Sequence, residues 1–116
     1  MLAQQFRFHG HGGLRYLYRV GKTVRSRHFM LRFTTQTTRS QSRVTVIVSK
    51  KIAKSAARRN RMRRRVYEII RHNWGQLQHP CDLSVTIFSP EVQFIAHDQL
   101  KQEIQQLLSS AHLYRL

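Results

Sequence analysis

Arginine supplies most of the chemistry available to this chain. Between Arg58 and Arg65 six of eight residues are arginine, and a guanidinium fork matches phosphate oxygens and can stack on bases. At i,i+3 and i,i+4 spacing on a helix these charges repel one another, and an anionic partner would relieve that repulsion. A solvated basic face is the plain alternative, although such faces usually mix signs and use lysine. Polyphosphate or a membrane surface would also answer the charge. Catalytic groups are harder to assemble. A two-metal nuclease needs converging carboxylates, whereas Glu68, Asp82, Glu91, Asp98 and Glu103 are scattered over different elements. A metal-free ribonuclease needs a pair of histidines; His28 is the best candidate among seven, and no spacing pairs it with another. His9 and His11 alone make no closed metal site. The reading is a binder, with neither a catalytic nor a metal-ligating residue assigned.

The stretch SKKIAKSAARRNRMRRRVYEIIRHNW, Ser49 to Trp74, has to carry those arginines. Met62, Val66, Ile69 and Ile70 fall at i, i+4, i+7 and i+8, which predicts one helix, preceded by a turn, with an apolar face for a core. Asn60, Arg64, Tyr67 and Arg71 project to the opposite side, with Arg61 and Arg63 on its flanks. Before it, Leu14 to Val20 predicts two helical turns stopped at Gly21. Val24 to Thr34 alternates as one strand, with Phe29, Leu31 and Phe33 inward and His28, Met30, Arg32 and Thr34 outward. Val44, Val46 and Val48 share the inner face of a second strand, and Leu83, Val85 and Ile87 that of a third, which Pro90 ends. Asp98 is placed to cap a last helix buried through Leu100, Ile104, Leu107 and Leu108. The order predicts an α/β sandwich with the long helix crossing between two strands of one sheet. Residues 1–10 read as a flexible arm in which Phe6 and Phe8 could pack or stack, and residues 11–116 as a single α/β domain.

Charge distribution narrows the partner. Of 21 Lys and Arg, 18 lie in residues 1–67 with no acidic residue, while residues 68–116 hold three basic and all five acidic groups. The net charge is +16 and the basic residues are 16 Arg against five Lys, a balance that favours structured nucleic acid over a lipid surface. A lone Cys81 rules out an intramolecular disulfide and fits a reducing, cytoplasmic setting. No long apolar run or secretory leader is present. The 116 residues suffice for one core without staples.

Val48-Ser49-Lys50-Lys51 at a strand end, followed by Arg59-Asn60-Arg61-Met62-Arg63-Arg64 and Glu68, resembles the signature of the bacterial ribonuclease P protein subunit. The resemblance runs from about Leu14 to Tyr114 and includes Tyr18 to Gly21 and the alternating strand Arg27 to Phe33. It implies the ribosomal protein S5 domain 2-like fold, with a left-handed crossover where the general rule favours a right-handed one. It also implies a cofactor protein for a catalytic RNA that removes the 5′ leader of precursor tRNA. The chemistry would belong to Mg2+ held mainly by RNA, and the protein alone would not cut. No membrane and no further protein partner is implied. Carried over, Lys50, Lys51, Arg58, Arg59, Asn60, Arg61, Arg63 and Arg64 would contact the catalytic RNA. Leu14, Tyr18, Met30 and Arg32 would line a cleft for the single-stranded leader. The strand alternation independently puts Met30, Arg32, Thr45, Ile47, Ser49, Thr86 and Phe88 on one face, where Tyr18 and Phe88 could stack on bases. Leu14 stands where many members have an aromatic residue, and Phe88 and Ser89 where a basic one is common. Two other readings stay open here: a structural ribosomal-type RNA-binding protein, and a free-standing ribonuclease working through His28.

Overall fold

The computed structural model describes residues 12–36 and 41–115. The arm expected at residues 1–10 lies outside the described residues, as does the side chain of Leu14. The described chain forms α1 (Gly12–Val20), β1 (Lys22–Arg25), β2 (Phe29–Thr34), β3 (Arg43–Val48), α2 (Ala56–Asn73), β4 (Asp82–Ile87) and α3 (His97–Ser110). Short 3-10 turns follow at Trp74–Gln76 and Pro90–Gln93. The strands make one sheet in the order β1-β2-β4-β3. β4 pairs antiparallel with β2 and parallel with β3. A parallel neighbour cannot be reached by a hairpin, so the chain must cross a sheet face between β3 and β4. α2 makes that crossing, as the sequence order predicts.

The alternating residues sort the sheet into two faces. Phe29 and Leu31, Val44, Val46 and Val48, and Leu83, Val85 and Ile87 are all buried on one face. Against them pack Met62, Val66, Ile69 and Ile70 of α2 and Leu100, Ile104, Leu107 and Leu108 of α3. A fully buried aliphatic side chain contributes about 1.5–3 kcal/mol, so this layer sets the fold. α1 lies on the other face, across β2 and β4, with Leu17 fully buried beneath it. Gly21 closes α1 through its N–H to the Leu17 carbonyl at 2.8 Å. A Cβ at Gly21 would lie 2.5 Å from that carbonyl and 3.1 Å from Arg32 Cγ, so a side chain here would clash with the closing turn of α1 and press on Arg32 of β2.

Three expectations need correction. The alternating run Val24 to Thr34 is a hairpin rather than one strand, turning where the Ser26 N–H meets the Phe29 carbonyl at 2.9 Å. Alternation continues through a tight turn and so cannot reveal it. α3 begins earlier than an Asp98 cap would allow: its N-cap is Ala96, with no side-chain bond, and Asp98 lies in the first turn, where a carboxylate favours the helix dipole. Tyr67 does not face a partner. It is 7% exposed and its hydroxyl accepts the Val46 N–H at 3.1 Å, covering a main-chain donor on the outer edge of β3. Helical spacing placed Tyr67 opposite the core stripe, but β3 lies beside the helix as well as beneath it.

Tyr67→Phe should therefore destabilise the domain by about 1–3 kcal/mol, because a buried N–H loses its acceptor. Urea unfolding should show a lower midpoint at unchanged slope, with the Val46 amide exchanging faster.

Candidate nucleic-acid interface

Two surfaces collect the residues singled out in the sequence. The first is a groove of about 650 Å³ between α2 and the free edge of β3, walled by Thr45, Ala57, Asn60, Arg63 and Arg64. Ser55 starts α2 by accepting the Arg58 N–H at 3.4 Å, so the arginine run occupies the first turns, where the helix dipole is positive and adds to attraction for anions. Arg63 donates to the Asn60 side-chain carbonyl, which orients both over the groove. Lys50, Lys51, Arg58, Arg61 and Arg64 are exposed. Among the described residues no carboxylate pairs with Arg58, Arg59, Arg61, Arg63 or Arg64.

The run is not uniform. Arg59 donates to the carbonyls of Ala53 at 2.9 Å and Lys54 at 2.8 Å, tying down the loop that carries Lys50 and Lys51. Arg65 turns inward and donates to the carbonyls of Val92, at 2.6 Å, and Ile95, so it fastens the turn after β4 to α2. That role depends on which segment packs beside the helix, and no local pattern signals it.

The second surface is a cleft of about 240 Å³ between α1 and the open face of the sheet, lined by Tyr18, Met30, Arg32, Ser84 and Thr86. Its floor follows from register: Met30 lies opposite Thr86, and Arg32 opposite Ser84. The Arg32 guanidinium carbon sits 4.8 Å from the centre of the Tyr18 ring, a cation–π distance, and Nη1 donates to the Tyr18 carbonyl at 3.2 Å. Arg32 Nε is buried without a partner among the described residues. Tyr18 remains 46% exposed, leaving part of its ring for stacking. Ser84, a floor residue absent from the sequence-derived set, is a small outward residue of β4 opposite Arg32, so alternation alone could have found it. Ser49 and Phe88 lie one residue beyond β3 and β4, both exposed.

Residues 2–112 match the family model Ribonuclease P. The chain belongs to the ribonuclease P protein family. The ribonuclease P protein component of a Synechocystis species is 30% identical over 82% of this chain and 76% of its own. That of Parasynechococcus marenigrum is 30% identical over 97% of both. Among solved structures, the ribonuclease P protein of Staphylococcus aureus superposes with a TM-score of 0.82 at 19% identity, over 95% of this chain and 98% of that one. That of Thermotoga maritima gives 0.79 at 24%, over 90% and 96%. These likenesses carry the fold, and the family carries the role: a ribonuclease P protein component is a subunit of a ribonucleoprotein endoribonuclease and works with an RNA partner.

In this ribonuclease P protein His28 is a clamp. It is 8% exposed, with Nδ1 2.7 Å from Glu103 and Nε2 3.0 Å from Glu91. Its backbone N–H donates to Glu103 at 2.9 Å, and the Ser26 hydroxyl donates to the same carboxylate. Both ring nitrogens are occupied, which leaves none for substrate. Burial disfavours the imidazolium, but the hydrogen bonds to Glu103 and then Glu91 outweigh it and raise the His28 pKa above 6.5. Burial likewise opposes the Glu103 carboxylate, and the bonds from Ser26 and His28 overcome it, holding its pKa below 4.5. Burial pushes the Cys81 thiol up to about 11, which leaves it unreactive. No helix among the described residues is long and apolar enough to cross a membrane.

Two outcomes follow from these contacts. Arg59→Ala should lower both thermal stability and RNA affinity, whereas Arg61→Ala should lower affinity alone, measured by calorimetry and filter binding. The raised His28 pKa gives stability that is full below 6.5 and lost as pH rises through the folded value. The lowered Glu103 pKa gives stability that is full above 4.5 and lost as pH falls through its folded value. Denaturant unfolding should therefore show the cluster's contribution largest between these two limits and falling on both sides, a pattern absent from His28→Gln.

Proposed function

We propose that this subunit binds the catalytic RNA through the α2 groove and the 5′ leader of precursor tRNA through the α1 cleft, in the cytoplasm, and assists Mg2+-dependent cleavage by the RNA. The observation that carries the reading is the stacked Tyr18–Arg32 pair over a floor of Met30, Ser84 and Thr86, with Arg32 Nε buried and unpartnered among the described residues. A single-stranded segment offers what that cleft lacks: a base face for Tyr18 and an oxygen acceptor for Arg32. A small hydroxyl-bearing floor leaves room for the backbone. The arginines of α2 add a separate electrostatic contact, in which Lys50, Lys51, Arg58, Arg59, Arg61, Arg63 and Arg64 offset phosphate repulsion and Asn60 adds a directed hydrogen bond. Magnesium is held mainly by RNA in this reading, the protein alone does not cut, and no further protein partner is required.

Cleavage of a 5′-extended precursor tRNA at near-physiological magnesium tests the proposal, with protein alone, bacterial catalytic RNA alone, and both. Efficient cutting at the mature 5′ end is expected only from the mixture; cutting by the protein alone, or no help from it, defeats the reading. Arg61→Ala should reduce the log–log salt slope for catalytic RNA by about one unit. Tyr18→Ala should cut the preference for precursor over mature tRNA by roughly tenfold, as loss of one stacked base does, while Tyr18→Phe should retain it.

A further inference from the structure

The turn after β4 is held from two sides. Arg65 of α2 binds the carbonyls of Val92 and Ile95, and His28, just before β2, binds the Glu91 carboxylate. The same His28 accepts the Phe88 N–H on its carbonyl at 3.2 Å, which extends the β2–β4 ladder one residue beyond Ile87. One residue thus fixes both the last rung of the ladder and the turn that follows it. The next rung, Phe29–Ile87, faces the core, and Met30–Thr86, the end of the cleft floor nearest this ladder extension, is the rung after it, on the same face as His28 and Phe88.

We propose that His28 is a positioning residue for the leader cleft: its imidazolium ties the Phe88–Glu91 segment to β2, and loss of its proton loosens that segment and weakens leader binding. This rests on the reading of the α1 cleft as the leader site.

The asymmetry of the two carboxylates decides what gives way. Glu103 also receives the Ser26 hydroxyl and the His28 backbone N–H, and its side chain is 18% exposed. Glu91 has an exposed side chain at 62%, and His28 Nε2 is its partner. A neutral imidazole carries one N–H, which stays with Glu103, and then presents a lone pair to Glu91. The two acceptors repel, and Glu91 can leave for water at little cost. The charged groups facing the ring are Glu103 from α3 and Glu91 from the turn; the cation bound to the same turn is Arg65 of α2, whose guanidinium does not titrate.

The test is equilibrium binding of precursor and mature tRNA to the particle reconstituted from full-length protein and bacterial catalytic RNA, in Ca2+ to suppress cleavage, from pH 5.5 to 9. In wild type the precursor preference should fall roughly three- to tenfold as pH rises through the His28 titration, the effect of one lost charge-assisted bond. Glu91→Gln should keep the preference and lose the pH dependence, because an amide can meet either form of the ring. Glu91→Ala should be low throughout, and neither variant should alter the salt slope for catalytic RNA. A wild-type preference with the same pH profile in both variants overturns the positioning role. No precursor preference at any pH instead overturns the cleft reading on which it rests. A histidine-selective NMR titration of the free protein supplies the second readout: the Phe88 and Glu91 amides should shift with the His28 ring, and if they do not move together the coupling is refuted.

Discussion

The basic surface of α2 depends on the parallel pairing of β3 with β4. Antiparallel neighbours would need only a turn, and the basic segment between them would have been a loop. Parallel pairing demands a crossover, and the crossover is the arginine helix. Its apolar stripe is buried against the strand face that β3 and β4 share with β2, which fixes the rotation of α2 about its axis. Once that rotation is set, Asn60, Arg63 and Arg64 must overhang the free edge of β3, and Arg61 must point to solvent. The polycationic groove follows from a packing requirement on residues that carry no charge.

A net charge of +16 makes the few carboxylates valuable. Asp82, fully buried, pairs with Arg43 at 2.9 Å across the β3–β4 pair. Glu91 and Glu103 enclose His28, and Glu68 holds Arg71. Acidic side chains are thus spent at the second half of the sandwich, joining strands, turn and helices, and none of them neutralises the arginines from Arg58 to Arg64. Self-repulsion there has no acidic side chain to offset it, and a bound anion would relieve it. Arg59 and Arg65 show how finely this is divided: in the same run, one holds the preceding loop and the other the turn after β4.

The cleft beside α1 draws on the opposite logic. It is assembled from hydroxyls, a thioether and one stacked cation–aromatic pair, on the face of the sheet that α2 and α3 leave free. α1 packs on that face across β2 and β4 and closes at Gly21. Two surfaces of distinct chemistry thus stand on one small domain, a basic groove beside α2 and a cleft of hydroxyls, a thioether and one cation–aromatic pair beside α1.

By itself the sequence determined the element order, the buried stripes of both long helices, the inward faces of the strands and the basic face of α2. Each of these is a periodic signal, and periodicity is local. The same alternation placed Met30, Arg32 and Thr86 on one face, and a motif resemblance joined Tyr18 to them. Only tertiary structure decided where single side chains go when a neighbour distant in sequence supplies the partner. Tyr67 turns to the edge of β3, Arg65 to carbonyls at 92 and 95, and His28 to carboxylates 63 and 75 residues away. The hairpin between β1 and β2 and the early start of α3 belong to the same class: their signals are a turn that preserves alternation and a cap that no side chain makes. A hydrogen bond between residues far apart in the chain leaves no period to read, so it becomes visible only when the fold brings its two ends together.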